Sequence, residues 1–245
     1  GGGAARHGGT EGGGGGAVGG GAAARGGVGG GDGTGSPSAL AGLVGGIEQL
    51  VEYPYGCTEQ MTSRLVPLLP LREIATAYGV KLPADLDQAV AATVAKVSAN
   101  QRSDGGFGLW PESEASSPWL TAYALWGLGE ARRRGLPVRP AVIEAATRYL
   151  RGSLGKDPVA DAFSVDVLAE LDDPDPGAAD VLFSRRADLP LFAKALLLHA
   201  MARGKSPDAA QAALVTELEQ AVRLDGSAAH VVVLPRAGVA VDGAE

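Results

Sequence analysis

The sequence predicts an all-α fold of short, paired antiparallel helices behind a glycine-rich N-terminal tract. Three observations carry that expectation. From Ser36 onward, Leu, Val and Ala recur at helical spacing. Proline and glycine interrupt the pattern about every fifteen residues, so no segment is long enough for an extended bundle. Strand-like alternation is confined to His230–Leu234. Short helices joined by short connections pack as antiparallel neighbours.

The 245 residues include 38 glycines, and about half of these precede Ser36. Residues 1–35 have almost no side chains to bury and cannot offset the entropy of ordering their backbone, so this segment is expected to be disordered. Helices are expected over Ser38–Glu52, Thr58–Tyr78, Ala84–Gln101, Trp119–Arg134, Pro140–Arg151, Asp157–Leu171, Leu191–Ala202 and Pro207–Arg223. Ser38 and Asp157 are of the capping type, and Gly79, Gly135 and Gly204 follow last turns. One helical domain over 36–230 is expected, followed by an irregular tail over 231–245.

Composition removes several function classes. A net charge of −7 leaves no basic stripe for a phosphate backbone, so nucleic acid is not an expected partner. No apolar run approaches a bilayer's span, and the N-terminus lacks the apolar stretch of a secretory signal. Cys57 is the one cysteine, which rules out an internal disulfide and a Cys-rich zinc site. No metal and no cofactor are expected.

One connection is more specific than the others. Gln101-Arg-Ser-Asp104-Gly105-Gly106-Phe107-Gly-Leu-Trp110 resembles the Gln-to-Trp motif of alpha/alpha-toroid proteins, which implies a toroid of paired helices. Asp104 can close a turn, Gly105 and Gly106 permit positive φ, and Phe107 and Trp110 are expected to plug the gap between hairpins. A structural role is expected for this loop.

The chemistry is carried by Tyr53-Pro54-Tyr55-Gly56-Cys57-Thr-Glu59-Gln60. Cys57 and Gln60 stand at i and i+3, a spacing that brings them to one face where the chain enters a helix. Attack of the thiolate on the Gln60 carboxamide would expel ammonia and leave an internal thioester, with the glutamine as electrophile. Tyr53, Pro54 and Tyr55 supply rigid, aromatic cover against water, and Gly56 lets the chain turn. Glu59 fits equally a carboxylate on the helix dipole or a part of the reactive site. On composition alone, a lone Cys in a helical protein is a small buried hydrophobe.

The flanking pattern reverses that reading. Pro-Tyr-Gly before Cys-x-Glu-Gln resembles the thioester signature of the alpha-2-macroglobulin and complement superfamily, in its bacterial variant. The likeness continues through Leu43–Glu52, Ser63–Ile74, Gln101–Trp110 and Trp119-Leu-Thr-Ala-Tyr-Ala124, and covers most of Ser36 to about Arg223.

The resemblance implies the thioester domain of a broad-spectrum endopeptidase inhibitor, a single-use covalent trap and not a turnover enzyme. A protease cuts a bait elsewhere, the bond is uncovered, and a nucleophile on the target attacks the Gln60 carbonyl as Cys57 leaves as the thiolate. Complement relatives use a histidine on a later loop to redirect the acyl group toward hydroxyls. Leu154–Leu171, the corresponding stretch, contains none, which implies direct attack by lysine amines.

Target proteases and other domains of a parent macroglobulin are therefore the expected partners. A periplasmic or extracellular location is implied, with membrane attachment only through a lipid anchor outside this chain. The toroid is expected to be incomplete. Two other readings remain: a toroid enzyme of the terpene-cyclase or prenyltransferase kind, and an inactive truncated fragment. Asp172-Asp-Pro-Asp175 is spaced wrongly for a cyclase acid motif and reads as a solvated turn. His199 is expected to be a partly buried helix residue with a local hydrogen bond, and His7 and His230 receive no role.

Overall fold

The structure is a computed structural model, and it describes residues 56–79, 81–225 and 228–231. The tract 1–35, the expected helix Ser38–Glu52, the cover residues Tyr53, Pro54 and Tyr55, and residues 232–245 lie outside the described residues. The described part is mainly helical. Its helices are α1 (Thr58–Leu68), α2 (Leu71–Tyr78), α3 (Leu86–Ala99), α4 (Pro118–Arg133) and α5 (Pro140–Ser153), then α6 (Pro158–Glu170), α7 (Pro176–Ser184), α8 (Leu191–Arg203) and α9 (Asp208–Gln220). A 3-10 turn at Arg186–Asp188 separates α7 from α8. Strands β1 (Val222–Asp225) and β2 (Ala228–Val231) form an antiparallel hairpin, with Arg223 opposite His230.

Local chemistry explains most boundaries. The single helix expected over Thr58–Tyr78 is two, because Pro70 has no N–H to give the carbonyl four residues back and becomes the residue before α2. Asp157 caps α6, accepting from the main chain of Val159 at 2.9 Å, and Ser117 and Asp175 do the same for α4 and α7. Helix α7 was not expected, nor was β1, which replaces the last turn expected of the final helix. Gly79 closes α2 in the left-handed region at φ 64°, but after α8 that conformation belongs to Lys205 (φ 56°), with Gly204 at φ −76°.

The helices lie in two layers. Helices α1, α4, α6 and α8 form one row, each packed on the next, while α3, α5, α7 and α9 pack against that row from the other layer. Cross-helix pairs show that the first row runs parallel. Ser63 meets Tyr123 and Asp166 meets His199 at matching positions of their helices, and from Trp119–Phe163 to Arg133–Glu170 the pairing advances along both helices in the same direction. This alternation is the alpha/alpha toroid architecture. Leu65, Leu125, Leu128 and Phe107 are buried in one apolar cluster, and Leu197, Met201 and Leu214 in a second.

The Gln101–Trp110 loop joins α3 to α4 and ties the two layers. Gln101 Nε2 donates to the carbonyls of Gly105 at 3.0 Å and Val142 at 2.8 Å, and Asp104 Oδ1 accepts from Gly106 N at 3.0 Å and Ser116 Oγ at 2.8 Å. Gly105 sits at φ 88°, and a Cβ there would stand 2.5 Å from the Ala145 carbonyl oxygen, so the loop needs glycine. Phe107 is wholly buried, and its N–H donates to Thr121 Oγ1 at 2.8 Å. Trp110 does not share that burial. It is 51% exposed, because Trp110 N bonds to Ser113 Oγ and turns the chain outward. The gap is filled by Phe107 without Trp110. Phe107→Ala is expected to cost about 3–5 kcal/mol, measured by urea unfolding; a loss below about 1 kcal/mol would show that the loop is not part of the core.

Candidate functional site

The first turn of α1 places Cys57 and Gln60 together. Cys57 is the N-cap residue, extended at φ −69° and ψ 171°, and Gln60 is the third residue of the helix. They form a reciprocal capping box: Cys57 Sγ faces the Gln60 main-chain N–H, and Cys57 N donates to Gln60 Oε1 at 3.1 Å. A cap of this kind satisfies N–H groups that a helix start leaves without partners. Here the capping atoms are a thiol and a carboxamide, the two groups that thioester chemistry joins.

The two partners differ in exposure. Cys57 is buried, while Glu59 and Gln60 are exposed, so the pair joins a buried thiol to an exposed residue. Gly56 leaves room for this arrangement. A Cβ there would stand 3.2 Å from Gln60 Cβ and 3.5 Å from Oε1.

Thr58, which sequence reasoning passed over, is wholly buried and held at three points. Its N–H donates to the Leu109 carbonyl at 2.8 Å, its Oγ1 accepts from Asn100 Nδ2 at 3.0 Å, and its carbonyl accepts from Thr62 Oγ1 at 2.8 Å. Asn100 ends α3 and Leu109 lies in the Gln101–Trp110 loop. The Cys57–Gln60 turn is thus fastened to the loop that closes the fold, while Gln101, Asp104, Gly105, Gly106 and Phe107 bear on it only through that loop. No sequence signal marked Asn100.

The end of the α1, α4, α6, α8 row that carries Cys57 is apolar. Leu109, Trp110, Trp119 and Phe192 are exposed, and the Trp119 ring lies 4.7 Å from that of Phe163 and 6.4 Å from that of Phe192. The opposite end is ionic. Arg133 pairs with Glu130 and Glu170, and Arg203 pairs with Asp172 and donates to the Ala169 carbonyl. His199 belongs to that ionic end, and its partner is not local: Nδ1 lies 2.6 Å from Asp166 Oδ1, with Glu170 3.3 Å from Nε2. Burial pushes the Asp166 carboxyl above the ordinary carboxylate range, opposed by the His199 hydrogen bond and charge. His230 is exposed on β2. The Asp172–Asp175 stretch is a turn held by arginines: Arg151 bonds Asp173 at 2.8 Å, and Asp175 caps α7.

A family profile described as the A-macroglobulin TED domain matches residues 34–157. The alpha-2-macroglobulin of Escherichia coli strain K12 is 31% identical over 178 residues, covering 63% of this chain and 11% of its own length. That of Thermotoga maritima is 30% identical over 105 residues, covering 43% of this chain and 6% of its own. The chain thus spans a small fraction of these relatives. Among solved structures, Salmonella alpha-2-macroglobulin reacted with methylamine is similar, with a TM-score of 0.64 and 28% identity over 77% of this chain and 13% of that one. With a toroid of paired helices, a Cys–Gln capping box and a profile match over half of its length, the chain belongs to the A-macroglobulin TED domain family and is homologous to bacterial alpha-2-macroglobulins.

Proposed function

We propose that this chain is the thioester-bearing segment of a bacterial alpha-2-macroglobulin-like endopeptidase inhibitor, in which Cys57 and Gln60 form an internal thioester that acylates lysine amines of an attacking protease. One observation carries the reading: the capping box holds the Gln60 carboxamide against the cap whose side chain is the Cys57 thiol. In formation, Sγ attacks Gln60 Cδ, the bond to Nε2 breaks, and the nitrogen departs as ammonia with the thiol proton. In use, an amine nitrogen attacks Cδ, the C–S bond breaks, and Sγ leaves, taking a proton from the amine. Each molecule fires once, so the chain is a trap and not a turnover enzyme. A thiolate leaves far more readily than an amide nitrogen, which makes the stored bond reactive at neutral pH.

Family membership and the methylamine reaction of the Salmonella relative support this reading. The amine preference rests on Leu154–Leu171, which contains no histidine, and on His199, which is engaged by two carboxylates at the ionic end. The exposed apolar residues Leu109, Trp110, Trp119 and Phe192 at the Cys57 end of the row suit cover by another domain of a parent macroglobulin. The proposed setting is the periplasm or the cell exterior. The toroid-enzyme alternative has little support here, since Asp172, Asp173 and Asp175 are occupied by Arg203, by Arg151 and by the start of α7.

Labelled methylamine and labelled glycerol, offered separately to the full-length protein after protease treatment, test the reading. Methylamine is expected to enter at Gln60 with release of one thiol, and faster uptake of glycerol would refute direct attack by amines. Gly56→Ala probes the space beside the carbonyl. Its methyl group is expected to slow methylamine incorporation about tenfold with little change in the unfolding midpoint; an unchanged rate would show that the space at Gly56 is not used by the reaction.

A further inference from the structure

Resting on that thioester reading, the geometry points to a positioning role for Asn100: through Thr58 it aims the Cys57 main-chain N–H at Gln60 Oε1, where that N–H stabilises negative charge on the carbonyl oxygen. The same donor would act when the thioester closes and again when an amine opens it.

Both steps pass through a tetrahedral carbon at Gln60 Cδ whose oxygen carries the electron pair displaced from the C=O bond. A fixed main-chain donor on that oxygen is the arrangement that lowers such barriers, because its dipole is oriented before the charge appears. Cys57 N, 3.1 Å from Oε1, is that donor. The helix start adds a favourable field for negative charge in its first turn. Of the neighbouring amides, Thr58 N–H is taken by the Leu109 carbonyl, and Gln60 N–H faces Cys57 Sγ.

A donor helps only if it stays in place, and the Cys57 amide belongs to the chain entering the helix. Its neighbour Thr58 holds it. Three bonds fix Thr58, and two of them reach across the fold, to Asn100 at the end of α3 and to Leu109 in the Gln101–Trp110 loop. Of these two, the Asn100 bond is the one that a side-chain change can remove without altering the main chain. Asn100 and Thr58 are both buried, so water does not readily replace a lost partner. They touch neither reacting atom and are therefore positioning residues, whereas the Cys57 amide is the catalytic group.

Thr58→Val keeps the shape and removes the acceptor, while Thr58→Ser keeps the acceptor. In the full-length protein, three quantities separate the possibilities: the fraction of molecules lacking one ammonia, the methylamine rate per thioester-bearing molecule, and the unfolding midpoint. Thr58→Val is expected to lower the rate about tenfold to a hundredfold, or to leave no ammonia-deficient species in a folded protein. Thr58→Ser should restore both to within about twofold of wild type. Leu65→Ala, which opens the core of α1 without touching the clamp, controls for stability, and because the rate is counted per thioester it does not fall with unfolding. Equal rates in wild type and Thr58→Val, or an equal loss in Leu65→Ala, would overturn the inference alone. A wild-type protein without the ammonia deficit would overturn the thioester reading and this inference with it.

Discussion

A helix begins with backbone N–H groups that have no partner inside it, and in α1 the residue that answers them is Cys57. Ser, Thr, Asp or Asn usually holds that place, with Glu or Gln three residues on. Substituting a thiol keeps the reciprocal geometry and changes what it can do, since sulfur is a nucleophile and the returning carboxamide an electrophile. Secondary-structure formation itself therefore brings the two groups together. The entropy of holding them is met by helix formation and by the bonds that pin Thr58.

The remaining architecture follows from keeping that helix start in position. Helices α1, α4, α6 and α8 run parallel, so their first turns gather at one end and their last turns at the other. The end that carries the Cys57–Gln60 turn has Trp119, Phe163 and Phe192, and the far end has Arg133, Arg134 and Arg203 among carboxylates. Cations near last turns complement the helix dipoles. The arginine–carboxylate pairs are thereby concentrated away from Gln60, and the titratable group of its own first turn is the exposed Glu59.

Short-range features were legible in the sequence. The i, i+3 spacing of Cys57 and Gln60, the capping type of Asp157 and the burial of Phe107 depend on a few neighbouring residues, and each is found where local chemistry puts it. The break between α1 and α2 was also present, in Pro70, but the apolar periodicity continuing through Leu71 and Ala75 concealed it. Helix α7 is short, and its one local start signal, Asp175 before Pro176, lies inside an acidic, proline-containing run that reads equally as a turn. Contacts across the fold were not legible. Asn100 and Thr58 are 42 residues apart, and His199 and Asp166 are 33 apart, so neither pairing leaves a local pattern. Trp110 differs for a local reason: its exposure goes with the turn to Ser113, three residues on, which lies just beyond the motif that contains it.

The central claim is that Cys57 and Gln60 are joined covalently in the native protein. The intact mass of the full-length protein, taken before any amine treatment, addresses it most directly. The account predicts a deficit of one ammonia, about 17 Da, that disappears in Cys57→Ala and in Gln60→Ala. A folded wild-type protein at its full sequence mass would contradict it.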